Sequence, residues 1–349
     1  MSQLRIALIG AGLIGRAHAA RILASPACQL AAIVDPQDSA RALANDYGVA
    51  WFGDIASLLE HSRGAAKPDG AIIATPNALH VSHGLACLQA GIPALVEKPL
   101  ADTVEGAYRL AEASEQLGVP LLVGHHRRHN PIAQAARAAV RGGRLGRITA
   151  VQGSFLLLKP DDYFDVAWRR EAGGGPVLIN LIHDIDLLRF ICGDIVAVQA
   201  MTSSVVRGFA VEDTAAALLR FDCGALGTLL ASDTTPAPWS WELTAGENSF
   251  YPRQEGQNCY LVTGTEGALA LPSLQYWRYA GARGWGEPLA SETLAHNRLD
   301  PLVAQLDHFC QVIRGTAEPL ITGRDGARSL AVATAVHAAA LGGRQVVPA

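Results

Sequence analysis

Short apolar runs alternate with longer stretches of mixed polarity along the first third of the chain. Arg5 to Ile9 is a brief, partly β-branched run that stops at a cluster of glycines, the pattern of a buried parallel strand. Helix-like residues Arg16 to Leu23 follow, then a second strand over Gln29 to Val34. The alternation continues with strand Gly70 to Ala74, helix Ala78 to Gln89, strand Ala94 to Val96, helix Val104 to Leu117 and strand Val119 to Val123. This predicts an α/β unit over residues 1–124, a doubly wound parallel sheet of the Rossmann type. After Gly124 the pattern changes. Helix Ile132 to Arg141 and strand Ile148 to Leu158 lead into a loop rich in Asp, Tyr and Trp that ends at Gly173-Gly174-Gly175, and a helix runs from about Val177 to Cys192. Strand patterns at Val196 to Val206, Asp213 to Phe221, Ala225 to Ser232, Cys259 to Gly264 and Ala268 to Leu271 predict an open, largely antiparallel sheet in an α+β domain over residues 125–349. Such a sheet needs one covered face and often finds it in another subunit, so a homodimer or homotetramer through this sheet is expected. Helices at about Pro301 to Arg314 and Arg324 to Leu341 close the chain as packing elements.

The glycine cluster sharpens the reading of the first unit. Gly10-Ala11-Gly12-Leu13-Ile14-Gly15 joins a strand to a helix, and each glycine has a task there. The first allows a tight turn, the second lets backbone approach a pyrophosphate, and the third lets helix pack on strand. The helix N-terminus then offers free N–H groups and a partial positive charge to phosphates. An ordinary tight turn would also explain the glycines alone. Asp35 tips the balance: it ends the second strand 20 residues beyond Gly15, where an acid accepts from the adenosine ribose hydroxyls. Its carboxylate would repel a 2′-phosphate, and no Arg stands in Pro36-Gln37-Asp38, so NAD is expected rather than NADP.

Composition narrows the class. A chain of 349 residues that is 50% hydrophobic and 17% charged has enough apolar content for two packed cores, which argues against disorder. The net charge of -4, with no concentrated run of Lys and Arg, gives nucleic acid no phosphate-neutralising stretch. Six scattered cysteines lack the close spacing of metal or redox motifs and read as thiols in a reducing compartment. No segment is long and apolar enough for a bilayer, and the start lacks a secretory pattern, so a cytoplasmic protein without a membrane partner is expected.

In a doubly wound sheet ligands bind beyond the carboxyl ends of the strands. Those ends carry Thr75-Pro76-Asn77 with His80, Glu97-Lys98-Pro99, and Gly124-His125-His126-Arg127-Arg128-His129-Asn130-Pro131. With the glycine turn, Trp168-Arg169, and Gly173-Gly174-Gly175 followed by His183 and Asp186, nearly the whole chain resembles the Gfo/Idh/MocA family of oxidoreductases. The resemblance implies that Lys98 and His183 border the reacting carbon, that Glu97 and Pro99 place Lys98 and the cofactor, and that Trp168 and Arg169 approach the nicotinamide. Gly10, Gly12, Leu13, Ile14, Gly15, Asp35, Thr75, Asn77, His80, Glu97 and Lys98 are then cofactor-binding, and the closing helices return toward the first domain. One departure concerns the substrate. Cyclitol dehydrogenases of this family tend to carry an Asp four residues before the histidine, where this chain has Ile179 beside Asn180.

The chemistry expected is oxidation of a secondary alcohol on a sugar, polyol or cyclitol-like molecule. A base must reach the hydroxyl while a hydride acceptor lies over the carbinol carbon, and His183 and Lys98 suit the proton side. On an unbroken helix Ile179, His183 and Asp186 fall on one face. His126, Arg128, Tyr163 and Asn180 are candidates for substrate contact, although Arg128 equally suits an acid partner and His183 a structural hydrogen bond. His125, His126 and His129 lack a nearby acid, so no metal is expected. Three rival readings are an aromatic cis-dihydrodiol dehydrogenase, redox-assisted glycoside cleavage and a non-enzymatic NAD redox sensor.

Overall fold

The computed structural model describes residues 2–62 and 67–349, which divide into two compact units. The first comprises residues 1–126 and 301–330, the second residues 127–300 and 331–349.

In the first unit, β1 (Leu4–Ile9), β2 (Cys28–Val34), β3 (Ala50–Phe52), β4 (Gly70–Ile73), β5 (Ala94–Val96) and β6 (Leu121–Val123) form one parallel sheet in the order β3-β2-β1-β4-β5-β6. Strand order reverses between β1 and β4, which opens a crevice at their carboxyl ends. The connecting helices are α1 (Leu13–Ala24), α2 (Asp38–Tyr47), α3 (Ile55–His61), α4 (His80–Gln89) and α5 (Val104–Leu117). Ile6, Leu8, Ile33, Ile72, Leu95 and Leu122 are buried in the core, and the helix at Pro301–Ile313 joins them through Leu306 and Phe309. A Cβ on Gly70 would lie 2.6 Å from Ile313, so only glycine admits that helix so closely. The sequence pattern did not reveal α2, β3 or α3. They are short and carry little bulk: α2 buries only Ala40 and Ala44.

The second unit begins with α6 (Pro131–Arg141), whose Ile132 N–H donates to the Asn130 side chain at 2.9 Å. Eight strands follow: β7 (Ile148–Leu156), β8 (Ile195–Ser203), β9 (Thr214–Phe221), β10 (Leu226–Ser232), β11 (Tyr260–Gly264), β12 (Ala268–Leu271), β13 (Gln275–Tyr279) and β14 (Leu289–Thr293). They pair as β14-β13-β12-β11-β7-β10-β9-β8, antiparallel except for β7 with β10. β13 and β14 extend the sheet beyond the expected strands, and β14 is exposed along its length, so it carries no burial pattern to read. Between β7 and β8 lies α7 (Ile182–Cys192), buried on every side. A π-helical turn at Val177–Leu181 precedes it. That turn alters the expected single face, because Ile179 lies in the wider coil and His183 beyond it.

β9 alternates buried and exposed positions, placing Ala215, Ala217, Leu219 and Phe221 inside. The opposite face of the sheet exposes Met201, Leu218, Leu226, Leu230 and Leu261 and holds a groove of about 1140 Å³. No described helix is long and apolar enough to cross a membrane. All six cysteines are free, and Cys223 is the exposed one.

Candidate active site

Within the first unit, the glycine turn has the geometry its spacing predicts. Gly10 has φ +96°, and a Cβ there would meet the Ala74 carbonyl oxygen at 2.5 Å. A Cβ on Gly15 would lie 2.1 Å from the Gly10 carbonyl oxygen. Gly12 differs: nothing lies within 4 Å of its Cβ position. It is the N-cap of α1, no side chain caps that helix, and its first turn holds no acid. Leu13 is 93% exposed, and Ile14 is exposed beside it. The helix terminus therefore meets open space with N–H groups and a positive dipole end, as a pyrophosphate requires.

Asp35 lies against the same turn. Its carboxylate accepts from Ala11 N at 2.8 Å and from Gln37 N at 2.9 Å. Arg16 Nε donates to the Ala11 carbonyl at 3.1 Å, and Trp51 Nε1 donates to the Asp35 carbonyl at 3.0 Å. The Arg41 guanidinium sits 5.3 Å from the Trp51 ring centroid. The Arg16 and Arg41 guanidinium groups are thus held on the Ala11 carbonyl and the Trp51 ring, two residues that each donate an N–H to Asp35. These residues fit a nicotinamide dinucleotide: glycine backbone and helix terminus for its phosphates, Asp35 for its ribose.

Glu97 and Lys98 follow β5. Glu97 is buried, and His18 Nε2 donates to its Oε1 at 2.7 Å while Lys98 N donates to its Oε2 at 3.2 Å. Burial presses this carboxyl upward, but the bond from His18 and the charges of His18, His126 and Lys98 outweigh it and hold the group below its ordinary value. A Cβ on Gly124 would lie 2.7 Å from the Glu97 carboxylate, so glycine is needed beside it. Glu97 thereby anchors the backbone from which Lys98 projects, and the Lys98–Pro99 peptide is cis. His80 lies between two carbonyls, with Nδ1 2.8 Å from Pro99 O and Nε2 2.8 Å from Thr75 O. Desolvation lowers its pKa against the pull of both carbonyls. His80 therefore ties the end of β4 to the segment after β5. Thr75 Oγ1 lies 3.4 Å from His83 Nδ1, and Asn77 begins an exposed 3-10 turn.

In the second unit, Asn180 stands on the π-helical turn and His183 at the start of α7. Asn180 Oδ1 is buried and accepts no hydrogen bond among the described residues. Arg128 Nε and Nη2 donate to the two Asp186 oxygens at 2.8 and 2.7 Å, both side chains buried. Arg128 thus has the acid partner that the sequence allowed as its alternative role. Tyr163 packs beneath Arg169, whose guanidinium is 4.0 Å from the ring centroid and donates to Tyr163 O at 2.7 Å. Trp168 is half exposed on the same loop. Among the described residues, no group of three or more His, Cys, Asp or Glu is placed to hold a metal ion.

A buried charged cluster in this unit was absent from the sequence reading. Arg127 Nη1 donates to Asp184 Oδ1 at 3.2 Å and Nη2 to Glu242 Oε1 at 2.5 Å. Tyr260 also donates to Asp184 Oδ1. Burial pushes the Asp184 carboxyl up to about 7, against the pull of Arg127. Close by, Asp233 accepts from Arg207 Nε at 2.9 Å and faces Lys159 Nζ at 3.4 Å. His18 had a local signal, three residues after Gly15 on the helix behind the turn. The Arg127 cluster had none, because its members come from distant segments.

Comparison with known proteins gives a consistent result. Residues 4–125 match the family model for the GFO/IDH/MocA oxidoreductase family, NAD-binding Rossmann fold, and residues 133–270 match that for the GFO/IDH/MocA C-terminal domain. The chain is 28% identical over 347 residues to the 1,5-anhydro-D-fructose reductase of Ensifer adhaerens, covering 97% of each. It is 28% identical to the rhizopine catabolism protein MocA of Rhizobium meliloti, covering 96% of this chain and 94% of that one. Among solved structures, the WlbA dehydrogenase of Bordetella pertussis in complex with NADH and UDP-GlcNAcA superposes with a TM-score of 0.80 at 27% identity, covering 100% and 99% of the two chains.

Proposed function

Since the chain belongs to the Gfo/Idh/MocA family of oxidoreductases, we propose that it is an NAD-dependent dehydrogenase that moves a hydride between the coenzyme and a secondary alcohol of a sugar, polyol or cyclitol-like substrate. One observation carries this reading. An anion-ready helix terminus, the ribose-directed Asp35 and the braced Lys98 all lie at the carboxyl ends of strands in one sheet. The names of the relatives, a sugar reductase and a dehydrogenase held with NADH, support the same class.

Bound nicotinamide supplies the hydride acceptor. The chain supplies the rest: Gly10, Gly12, Leu13, Ile14 and Gly15 shape the phosphate turn, and Asp35 accepts from the ribose hydroxyls. Thr75 and Asn77 border the coenzyme at the end of β4, with His80 keeping that edge in place. Trp168 and Arg169 serve its nicotinamide end. Lys98 Nζ donates to the carbinol oxygen, and the His183 imidazole takes the hydroxyl proton. Asn180 accepts from a substrate hydroxyl, Tyr163 provides an apolar wall, and His126 contributes a polar contact. Arg128, bound to Asp186, holds the start of the second unit in place.

The test is Lys98→Met and His183→Ala, compared with wild type for NAD reduction by sugars and polyols. Each is expected to lower kcat/KM by about 10²–10⁴-fold, and in His183→Ala NADH binding, followed by fluorescence, stays near the wild-type value. Unchanged turnover in both variants would remove the dehydrogenase assignment and favour a coenzyme sensor. We further propose that the exposed apolar sheet face is covered by another copy of the chain. Light scattering should then report a homodimer or homotetramer that Leu218→Glu disrupts; a wild-type monomer contradicts this.

A further inference from the structure

In the second unit, the glycine run that leads into the π-helical turn is gripped by residues from other segments. A Cβ on Gly174 would lie 2.4 Å from the Trp168 carbonyl oxygen, and one on Gly175 would lie 2.4 Å from Glu212 Oε1 and 2.5 Å from Val211. Glycine at 175 therefore lets the Glu212 carboxylate reach the chain just beyond, where Oε1 accepts from Val177 N at 3.0 Å. Val177 is the first residue of the π-helical turn, and its N-cap, Pro176, makes no side-chain cap. The first N–H groups of a helix lack partners within it, and its start is a positive dipole end, so a carboxylate placed here satisfies both.

The second carboxylate oxygen is held as well. His337, on the closing helix (Gly323–Gly342), brings Nε2 to 3.1 Å from Glu212 Oε2, and the glutamate side chain is only 7% exposed. Burial presses the Glu212 carboxyl upward, but the bond and charge of His337, with the Val177 N–H, outweigh it and hold the group below its ordinary value. Its backbone is fixed through the next residue. Asp213 N donates to Ser203 O, at the end of β8, at 2.9 Å, and Asp213 O accepts from Asp233 N at 3.0 Å. Glu212 thus ties the loop between β8 and β9 to the closing helix and to the turn.

What Glu212 holds is the coil that carries two of the proposed site residues. Ile182 N–H donates to Val177 O, the bond to the fifth residue back that marks the wide coil, and His183 comes next in the chain. Asn180 lies within the same coil, its Oδ1 buried and without a hydrogen-bond partner among the described residues. Because π and α coils differ in residues per turn, relaxation to α geometry would change the angle between Asn180 and His183 about the helix axis.

We propose that Glu212 is a positioning residue for the reaction: it clamps Val177 at the start of the π-helical turn, with His337 steadying its second oxygen, and so fixes where Asn180 and His183 stand. This rests on the dehydrogenase reading above. The experiment uses the full chain with NAD and three probes, myo-inositol, D-glucose and 1,5-anhydro-D-glucitol, at a temperature where circular dichroism shows each variant folded. Glu212→Leu removes the acceptor and should lower kcat for the best wild-type probe by about tenfold or more, while NADH affinity stays within about twofold of wild type. Glu212→Gln keeps an acceptor for Val177 N and should recover most of that loss. A cap that only stabilises the fold would lower the unfolding temperature of Glu212→Leu and leave kcat of the folded protein unaltered, and that result overturns the proposal. Where Glu212→Leu does not fold, His337→Leu decides instead: kcat should fall by about threefold or more, and an unaltered kcat overturns the clamp. A crystal structure of the folded variant judges the clamp without any substrate. The bond from Ile182 N–H to Val177 O should be lost and His183 displaced; an unmoved coil overturns the proposal and leaves the dehydrogenase reading intact. A wild type that binds no NADH overturns that reading instead.

Discussion

The glycine turn of the first unit and the Arg127 cluster of the second arrange their polar groups by opposite means. The turn works with backbone: Gly12 opens a helix terminus, Gly10 and Gly15 let three backbone segments crowd together, and only Asp35 contributes a charge. The cluster works with side chains, holding Arg127, Asp184 and Glu242 away from water and compensating each charge with another. A backbone site depends on local conformation, so a single Cβ can close it. A side-chain site depends on neutralisation, so the loss of one partner strands the others.

The largest effect is therefore expected in the cluster. Arg127→Met should destabilise the second unit by about 3–5 kcal/mol at pH 8 in denaturant titration, because Glu242 and Asp184 lose their shared cation. pH sharpens the test. Burial holds the Asp184 carboxyl near 7, so its ionisation opposes folding. Its contribution is fully present below the unfolded value of 3.8 and is lost as pH rises toward 7. Removing Arg127 raises that carboxyl further and extends the loss to higher pH, so the variant should suffer more at pH 8 than at pH 5. An equal penalty at both would mean that Asp184 is not the group involved.

Next comes Gly10→Ala, which imposes a side chain at φ +96° and against the Ala74 carbonyl. We expect a loss of about 3 kcal/mol in unfolding free energy, with NADH affinity falling in the fraction that folds. A variant as stable as wild type would show that the turn can shift, and with it the contrast between the two sites.

The smallest effect concerns coenzyme choice. Asp35→Ser removes the carboxylate that a 2′-phosphate would meet. The ratio of kcat/KM for NAD to that for NADP should fall by about tenfold or more, equivalent to ~1.4 kcal/mol. An unchanged ratio would place the ribose away from Asp35.

The contrast also explains what could be read from the sequence. The parallel sheet was legible because its strands are short apolar runs bounded by glycines, and the turn was legible because its work is done by consecutive residues. α2 and β3 escaped notice because alanines and a three-residue edge strand carry little periodic signal. β14 has no buried position to mark it. The pairing of Arg127 with Asp184 and Glu242 spans 57 and 115 positions, a distance at which no local pattern operates.

The most direct test of the coenzyme site is NADH titration of Gly12→Val followed by fluorescence, with thermal unfolding measured in parallel. Open space surrounds the Gly12 Cβ position, so the variant should unfold at the wild-type temperature and yet bind NADH about a hundredfold more weakly, a loss of ~2.7 kcal/mol. Wild-type affinity in a fully folded Gly12→Val protein would mean that the pyrophosphate does not lie at this turn.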